Sequence, residues 1–230
     1  MVNPAFAPRP LPALPVTDGR SYPVARIFCV GRNYAAHAAE MNSAVTEQPF
    51  WFTKSPFALA PSGSTLPYPP GTADLHHEVE LVVALGAPLF RATAAGARAA
   101  VWGLATGLDM TRRDLQAAAK AARLPWDTAK DFEGSAIIGP LTPAAHEAGG
   151  RITLTVNDAV RQDAPVADML NGVEALLVHL STLYHLGPGD IVMTGTPAGV
   201  GAVGPGDALE GRITGLAPVA LRIGPAEGAV

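Results

Sequence analysis

The segment from His76 to Leu85 constrains the fold of this chain more than any other part of the sequence. Along an extended strand, Glu78 and Glu80 lie on one face, while Val79 and Leu81 lie on the other. The residues around the two glutamates are strongly apolar, which favours a central strand with enclosed carboxylates. The alternative is an edge strand whose glutamates face solvent.

The remaining pattern predicts a mixed α/β, β-rich fold with short helices. Asn33 is expected to cap the first helix, and Asn157-Asp158 is expected to form a hairpin turn. The proline-rich residues 1–24 are interpreted as an extended lead-in, and 25–230 as a single catalytic domain. Strands are predicted at 27–30, 50–54, 76–85, 101–109, 152–156, 159–163, 191–194 and in 208–222, and helices at 34–41, 93–100, 112–122 and 173–185.

Composition and charge limit the classes of partner. A net charge of −4 gives no electrostatic reason to expect nucleic acid or an anionic membrane. No apolar run reaches the roughly 18 residues of a membrane span, and no signal pattern precedes the first strand, so a cytoplasmic location is expected. The single cysteine, Cys29, lies in an apolar run and is interpreted as a buried thiol rather than a nucleophile.

Three carboxylates are candidates for a metal site. Glu78 and Glu80 are two residues apart on one strand, about 6.5–7 Å at the backbone, and Asp109 ends another predicted strand. Carboxylates without a cysteine or histidine cluster favour a hard ion, Mg²⁺ or Mn²⁺, with positions left for substrate and water.

His37 and Glu40 are three residues apart on a predicted helix and therefore share a face. A carboxylate beside an imidazole orients the ring and raises its basicity, which suits a base that activates water. An ordinary surface pair is the alternative.

Several cations and one loop are candidates for binding an anionic substrate. Lys54 and Lys130 can bind a carboxylate or stabilise an enolate, and Arg113 and Gln116 share a helix face after Asp109. Each cation taken alone is also compatible with a surface position. The segment 194–197 opens a glycine-rich loop whose amides and hydroxyls can bind carboxylate oxygens, or it is a plain turn.

Taken together, these stretches resemble the fumarylacetoacetate hydrolase family, in the family's order over residues 25–222. The matching segments are Ile27-Phe-Cys-Val-Gly-Arg-Asn-Tyr-Ala-Ala-His-Ala-Ala-Glu-Met41, Phe52-Thr-Lys54, Leu75-His-His-Glu-Val-Glu-Leu81, Gly107-Leu-Asp-Met-Thr-Arg-Arg-Asp-Leu-Gln116, Leu124-Pro-Trp-Asp-Thr-Ala-Lys130 and Gly189-Asp-Ile-Val-Met-Thr-Gly-Thr-Pro-Ala-Gly-Val-Gly201. The order Lys54-Ser-Pro-Phe departs from the family's usual Lys-Pro-Ser/Ala.

The resemblance implies a fumarylacetoacetate-hydrolase-type β-roll with short flanking helices, usually a homodimer, and a role for each candidate. The implied metal ligands are Glu78, Glu80 and Asp109. The implied catalytic residues are His37, Glu40 and Lys130, with Lys130 near the scissile carbonyl. The implied substrate-binding residues are Arg32, Lys54, Arg113, Gln116 and Thr196.

The resemblance to the short branch of the family also implies an activity. A small α-keto acid, a 2,4-dioxo acid such as fumarylpyruvate, would be hydrolysed at a carbon–carbon bond to pyruvate and a carboxylic acid, in the gentisate pathway of aromatic catabolism. Three alternatives remain open: oxaloacetate decarboxylase or keto–enol tautomerase, isomerase or decarboxylase of hydroxylated dienedioates, and a binding module that has lost its chemistry.

Overall fold

The computed structural model describes residues 5–41, 44, 47–143 and 149–228. The strands are β1 (Ala13–Pro15), β2 (Ser21–Pro23), β3 (Arg26–Gly31), β4 (Phe50–Lys54), β5 (Leu59–Pro61), β6 (Ser64–Tyr68), β7 (Leu75–His77), β8 (Val79–Leu85), β9 (Val101–Asp109), β10 (Thr111–Arg112), β11 (Ala136–Ile138), β12 (Thr142–Pro143), β13 (Arg151–Val156), β14 (Ala159–Pro165), β15 (Asp190–Met193), β16 (Gly201–Val203), β17 (Ala208–Ile213) and β18 (Val219–Ala226). The α-helices are α1 (Ala35–Glu40), α2 (Ala94–Ala100), α3 (Arg113–Ala122), α4 (Asp127–Lys130) and α5 (Val173–Leu183), and single 3₁₀ turns lie at Pro56–Ala58 and Val166–Asp168.

An eight-stranded mixed sheet forms the centre of the fold. Its order is β4-β3-β15-β8-β9-β11-β5, with β12 also paired to β9. Strand β8 lies between β15 and β9 and is buried along its whole length, so the prediction of a central strand is confirmed. The predicted strand from 76 to 85 is not continuous, however. It is interrupted at Glu78, and β7 pairs with β10 and β16 in a separate three-stranded sheet.

The central sheet has a different apolar layer on each face. The side chains of Val79, Leu81 and Val83 pack against a five-stranded sheet of order β14-β13-β17-β18-β6. Val82 and Cys29 lie on the opposite face in a second cluster. Cys29 is fully buried, as expected, and burial raises the pKa of its thiol well above the usual range.

The N-terminal segment differs from the expected lead-in because it contributes to the second cluster. Strands β1 and β2 form an antiparallel pair, and the side chains of Leu14 and Tyr22 are buried. The Tyr22 hydroxyl donates to the carbonyl of Leu85 at 2.6 Å, which ties this hairpin to β8. This part of the N-terminal segment therefore packs on the core.

The prediction that Asn33 caps α1 is wrong. Tyr34 occupies the N-cap position, without a side-chain cap hydrogen bond. The Asn33 amide nitrogen donates to the carbonyls of Thr194 and Asn171, at 2.8 and 2.9 Å, and its oxygen accepts from the Asn171 amide at 2.8 Å. Asn33 therefore connects the start of α1 to two distant loops.

The other elements follow the predicted pattern closely. Asn157 and Asp158 have φ values of 50° and 64°, which are typical of the two-residue hairpin turn expected there. The short elements that were not predicted are β1, β2, β5, β6, β10, β11, β12, β16 and α4. Within the described ranges, no helix is long and apolar enough to span a bilayer.

Candidate active site

The three predicted metal ligands lie together because β8 and β9 are antiparallel neighbours. Val79 pairs with Leu108, so Glu78 and Asp109 are adjacent, and the Asp109 amide donates to the Glu78 carbonyl at 2.8 Å. Ligand oxygens of Glu78, Glu80 and Asp109 all lie within 4.8 Å of one another, and all three residues are buried.

Two lysines and an arginine offset part of this negative charge. The Lys130 ammonium lies 2.8 Å from Glu78 Oε2 and 2.7 Å from Asp109 Oδ2, and the Lys54 ammonium lies 2.8 Å from Asp109 Oδ1. Burial alone would raise the pKa of Glu78, but the charges of Lys130 and Arg113 outweigh it and hold this pKa well below the usual range. Glu78 is therefore ionised at neutral pH.

Glu80 has a different environment. Its carboxylate accepts a hydrogen bond from the Gly195 amide at 2.8 Å, and no cation among the described residues forms an ion pair with it. Burial, with the nearby charges of Asp109 and Glu78, raises the pKa of Glu80 well above its usual value. A divalent cation among the three carboxylates would supply the missing charge, so the residues present suit a hard, oxygen-ligated ion such as Mg²⁺ or Mn²⁺.

The predicted dyad is also formed. His37 Nδ1 lies 3.4 Å from Glu40 Oε2, and the Glu40 carboxylate oxygens each accept from the Gly199 amide at 3.1 Å. Glu40 is thus held from the 194–200 loop and can orient the imidazole through Nδ1. That arrangement leaves Nε2 of His37 available as a base.

A cavity of about 470 Å³, including its open mouth, brings most of the candidate residues together. The sequence-predicted residues that line it are Arg32, His37, Glu78, Glu80, Arg113, Gln116, Lys130 and Thr196. Asp109 lies behind this wall, where Lys130 and Lys54 contact it. The cavity therefore presents a base, carboxylates and cations to one bound molecule.

Arg113 and Gln116 are held in position by each other and by Glu78. One guanidinium nitrogen of Arg113 donates to Gln116 Oε1 at 2.5 Å, and another donates to Glu78 Oε1 at 2.5 Å. The i, i+3 spacing on α3 places both side chains over the same wall. Arg113 therefore supports Glu78 as well as facing the cavity.

Lys54 differs from its expected position on the substrate. Its side chain is 0% exposed, and its ammonium contacts Asp109 and donates to the carbonyl oxygens of Met110 and Lys130. A side chain enclosed in this way cannot contact a ligand in the cavity without rearrangement. In this structure Lys54 therefore neutralises Asp109 and does not line the cavity.

The sequence did not point to Gln162, a fully buried residue of β14. Its amide nitrogen donates to Thr196 Oγ1 at 2.7 Å and to the Pro197 carbonyl at 2.8 Å. Its oxygen accepts from the Val79 amide at 3.0 Å and lies 3.1 Å from His77 Nδ1, which must be the protonated nitrogen. Because the Thr196 oxygen accepts from Gln162, its own proton is directed elsewhere, and Thr196 lines the cavity.

A sequence signal for Gln162 would have been difficult to detect. It lies in a strand of mostly exposed residues, and its polar partners are distant in sequence. Only the pairing of β13 with β14 and the return of the 194–200 loop bring them together.

Comparison with known proteins gives a family and close structural relatives. The sequence model of the family described as "Fumarylacetoacetate (FAA) hydrolase C-terminal" matches residues 26–224. A fumarylpyruvate hydrolase of Ralstonia sp. is 46% identical over 183 residues, which cover 79% of this chain and 95% of that protein. An oxaloacetate tautomerase of Escherichia coli (strain K12) is 42% identical over 192 residues, covering 82% and 88%.

The fold is also similar to that of a solved structure. The crystal structure of fumarylpyruvate hydrolase from Pseudomonas aeruginosa in complex with Mn²⁺ and pyruvate matches with a TM-score of 0.93 and 41% identity, covering 97% of this chain and 100% of that chain. The buried carboxylate triad, the dyad and this β-rich fold together are the features of a metal-dependent enzyme. The chain belongs to the fumarylacetoacetate hydrolase family. The mixed α/β, β-rich fold that the sequence predicted, with the β-roll of that family, is confirmed.

Proposed function

We propose that this protein is a Mg²⁺- or Mn²⁺-dependent hydrolase that cleaves a carbon–carbon bond in a 2,4-dioxo acid, with fumarylpyruvate as the preferred candidate. The observation that carries the proposal is the lining of one cavity by the ligands Glu78 and Glu80 and by the base His37. The similarity to fumarylpyruvate hydrolases, one of them solved with Mn²⁺ and pyruvate, supports the choice of substrate.

Glu78, Glu80 and Asp109 would hold the ion. When bound, the ion supplies a Lewis acid that polarises a 2-oxo carboxylate and stabilises enolate charge. Arg113, Gln116 and Thr196 line the same cavity and can donate hydrogen bonds to the keto-acid end, with Arg32 as a further cation. Lys54 neutralises Asp109 instead.

His37 carries the proton transfers in this proposal. Its Nε2 takes a proton from water while Glu40 stabilises the resulting imidazolium through Nδ1. The hydroxide attacks the 4-oxo carbonyl carbon. The positive charge of Lys130, whose ammonium donates to Glu78, Asp109 and Thr111, stabilises the oxyanion electrostatically. The bond between C3 and C4 then breaks, its electron pair forms the pyruvate enolate, and His37 returns the proton to C3. The products are a carboxylic acid and pyruvate.

The direct test is incubation of the purified protein with fumarylpyruvate and Mg²⁺ or Mn²⁺. Loss of the enol absorbance should accompany equal amounts of pyruvate and fumarate, and EDTA should stop the reaction. Release of neither product under these conditions would contradict the proposal.

A second candidate activity is keto–enol tautomerisation of oxaloacetate, which the 42% identical oxaloacetate tautomerase favours. Loss of a proton from a chelated α-keto acid needs the metal site and a base but no attacking water. Oxaloacetate decarboxylation would use the same site. If the purified protein interconverts the keto and enol forms of oxaloacetate but forms no fumarate from fumarylpyruvate, its activity is tautomerisation instead.

The assembly, the cellular location and the metabolic pathway of this protein are further proposals. We propose a homodimer, a cytoplasmic location and a role in the gentisate pathway of aromatic catabolism, as the family resemblance and the sequence lead us to expect. Light scattering of the purified protein tests the first, because a dimer doubles the 23.6 kDa mass of the chain.

A further inference from the structure

One face of α3 leads from the carboxylates toward the open end of the cavity. Arg113, Gln116 and Lys120 all line the cavity, and their spacing of three and then four residues places them on one side of the helix. The rise from Gln116 to Lys120 is about 6 Å. Arg113 contacts Glu78 at the inner end, so Lys120 lies further out.

Lys120 and Arg32 lie where this cavity meets a second, wider groove. That groove has a volume of about 1490 Å³ including open solvent, and Arg32 and Lys120 line both spaces. Both residues are partly exposed, whereas Glu78 and Glu80 are buried. A molecule whose keto-acid end contacts the carboxylate site would extend its other end toward these two cations.

The electrostatic environment at this junction favours an anion. Burial, and after it the nearby charges of Arg32 and Arg113, lower the pKa of Lys120, so Lys120 lies close enough to both arginines to be repelled by them. Among the described residues, the acids that line the inner cavity are Glu78 and Glu80, and Asp127 lines the wider groove. The cations that line the two spaces outnumber these acids: Arg32, Arg113, Lys120, Arg123 and Lys130. A bound anion at the junction would relieve the repulsion.

The walls beside the cations are aromatic. Phe52 and Trp126 line both spaces, with ring centroids 6.1 Å apart, and Phe50 lies 5.0 Å from Trp126 in an edge-on arrangement. Flat aromatic surfaces suit a planar, conjugated carbon chain better than a branched or bulky one.

The backbone of Arg32 also indicates a constrained position. Arg32 has a φ of 62°, in the left-handed region that non-glycine residues rarely adopt. Such conformations persist where the surrounding structure holds them, and they are frequent at ligand sites. The conformation places an arginine directly after the end of β3, at the wall shared by both spaces.

We infer that Arg32 and Lys120, against Phe52 and Trp126, form a subsite for the second carboxylate of an unsaturated diacid, so that the enzyme selects dicarboxylate acylpyruvates over those with a neutral acyl end. This inference rests on the proposed function, and it assigns the residues that bind the end of the substrate away from the metal site. Lys120 is a specificity-determining residue that acts on the end of the substrate away from the reacting bond.

The kinetic test compares fumarylpyruvate with its analogue that ends in a methyl group instead of the second carboxylate. In Lys120→Met, the ratio of kcat/KM for the diacid to that for the analogue should fall about 10- to 100-fold, mainly through KM, because a charged hydrogen bond to the carboxylate is lost. Lys120→Arg should retain most of the ratio. Arg212→Met, which removes a positive charge from the five-stranded sheet, is the matched control.

A binding test does not depend on turnover. Fumarate and crotonate share one carboxylate and a conjugated chain, but only fumarate has the second carboxylate. Calorimetry on the Mn²⁺-loaded protein with pyruvate present should give tighter binding of fumarate, and Lys120→Met should remove the difference.

The outcomes separate this inference from the proposed function. Cleavage of both substrates with an unchanged ratio in Lys120→Met would overturn the subsite and leave the hydrolase proposal intact. A wild-type protein that cleaves neither substrate but binds fumarate through Lys120 would overturn the hydrolase proposal and support the subsite. Equal binding of fumarate and crotonate by the wild-type protein would overturn the subsite.

Discussion

The individual side chains at the site divide into those that carry charge and those that hold other residues in place. Glu78 and Asp109 are paired with lysines, whereas Glu80 has only an amide partner among the described residues. His37 is oriented through Glu40. The pKa of Glu78 is therefore lowered, whereas the pKa of Glu80 is raised. The dyad depends on one weak contact of 3.4 Å between His37 and Glu40.

Replacing Glu40 with glutamine tests the dyad. Because an amide cannot stabilise the imidazolium as a carboxylate does, kcat should fall about 10²- to 10⁴-fold. Metal content measured by mass spectrometry should stay at the wild-type value, since Glu40 is not among the three clustered carboxylates. Glu210→Gln, on the exposed side of β17, is the control. Wild-type turnover in Glu40→Gln would exclude this role for Glu40.

Gln162 is the residue whose replacement tests the support of Thr196. Gln162→Met keeps the approximate volume but removes four polar contacts, so buried groups of Val79 and Pro197 lose their partner. We expect the free energy of unfolding to fall by about 2–3 kcal/mol, and KM to rise because Thr196 is no longer held. Urea unfolding and steady-state kinetics measure the two effects, and a stable variant with unchanged KM would show that Thr196 needs no such support.

At the scale of secondary-structure elements, the site is assembled from strand ends and one returning loop. Glu80 and Asp109 lie on β8 and β9, and Glu78 is the residue before β8. Helix α1 supplies the dyad, and α3 and α4 supply Arg113 and Lys130. The loop after β15 contacts both halves: the Gly195 amide donates to Glu80, and the Gly199 amide donates to Glu40. This loop therefore couples the candidate metal site to the candidate base.

Gly199→Ala should disrupt that coupling. Gly199 has a φ of 98°, and a Cβ there would lie 2.0 Å from the carbonyl oxygen of Arg161, so the backbone must move. We expect kcat to fall at least tenfold as both Glu40 oxygens lose the Gly199 amide donor, with a lower melting temperature. In Gly204→Ala the added Cβ meets no heavy atom within 4 Å, which makes this variant the matched control. Equal activity of the two variants would contradict the role of Gly199.

For the whole molecule, ion binding and folding are linked. An ion that binds the folded state alone at 100 times its Kd stabilises the fold by about 2.7 kcal/mol. For a chain of this size, that corresponds to a rise in melting temperature of about 5–10 °C. Differential scanning fluorimetry with and without Mn²⁺ measures the rise.

Glu80→Gln provides the matching variant for this measurement. Glutamine still accepts from the Gly195 amide but brings no charge, so the metal-free protein should remain folded while the Mn²⁺-dependent rise is largely lost. Glu210→Gln should retain the full rise. A complete rise in Glu80→Gln would remove Glu80 from the ligand set.

The sequence by itself determined the elements with strong local signals. The alternation in β8, the apolar run of β9 and the Asn157-Asp158 turn depend on side-chain period and turn chemistry, which act within a few residues. The resemblance to the family then supplied the triad, the dyad and most cavity-lining residues. These positions follow the order and spacing of the motifs that carry the resemblance, which can be read without coordinates.

Only the tertiary structure decided the contacts between distant segments. The burial of Lys54 behind Asp109, the hydrogen bonds of Gln162, the packing of Leu14 and Tyr22, and the meeting of Arg32 with Lys120 all join segments far apart in sequence. Short strands such as β10 and β12 likewise form only because a partner strand supplies their hydrogen bonds. Local sequence does not encode such neighbours, because a side chain's burial and charge environment depend on which elements pack against it.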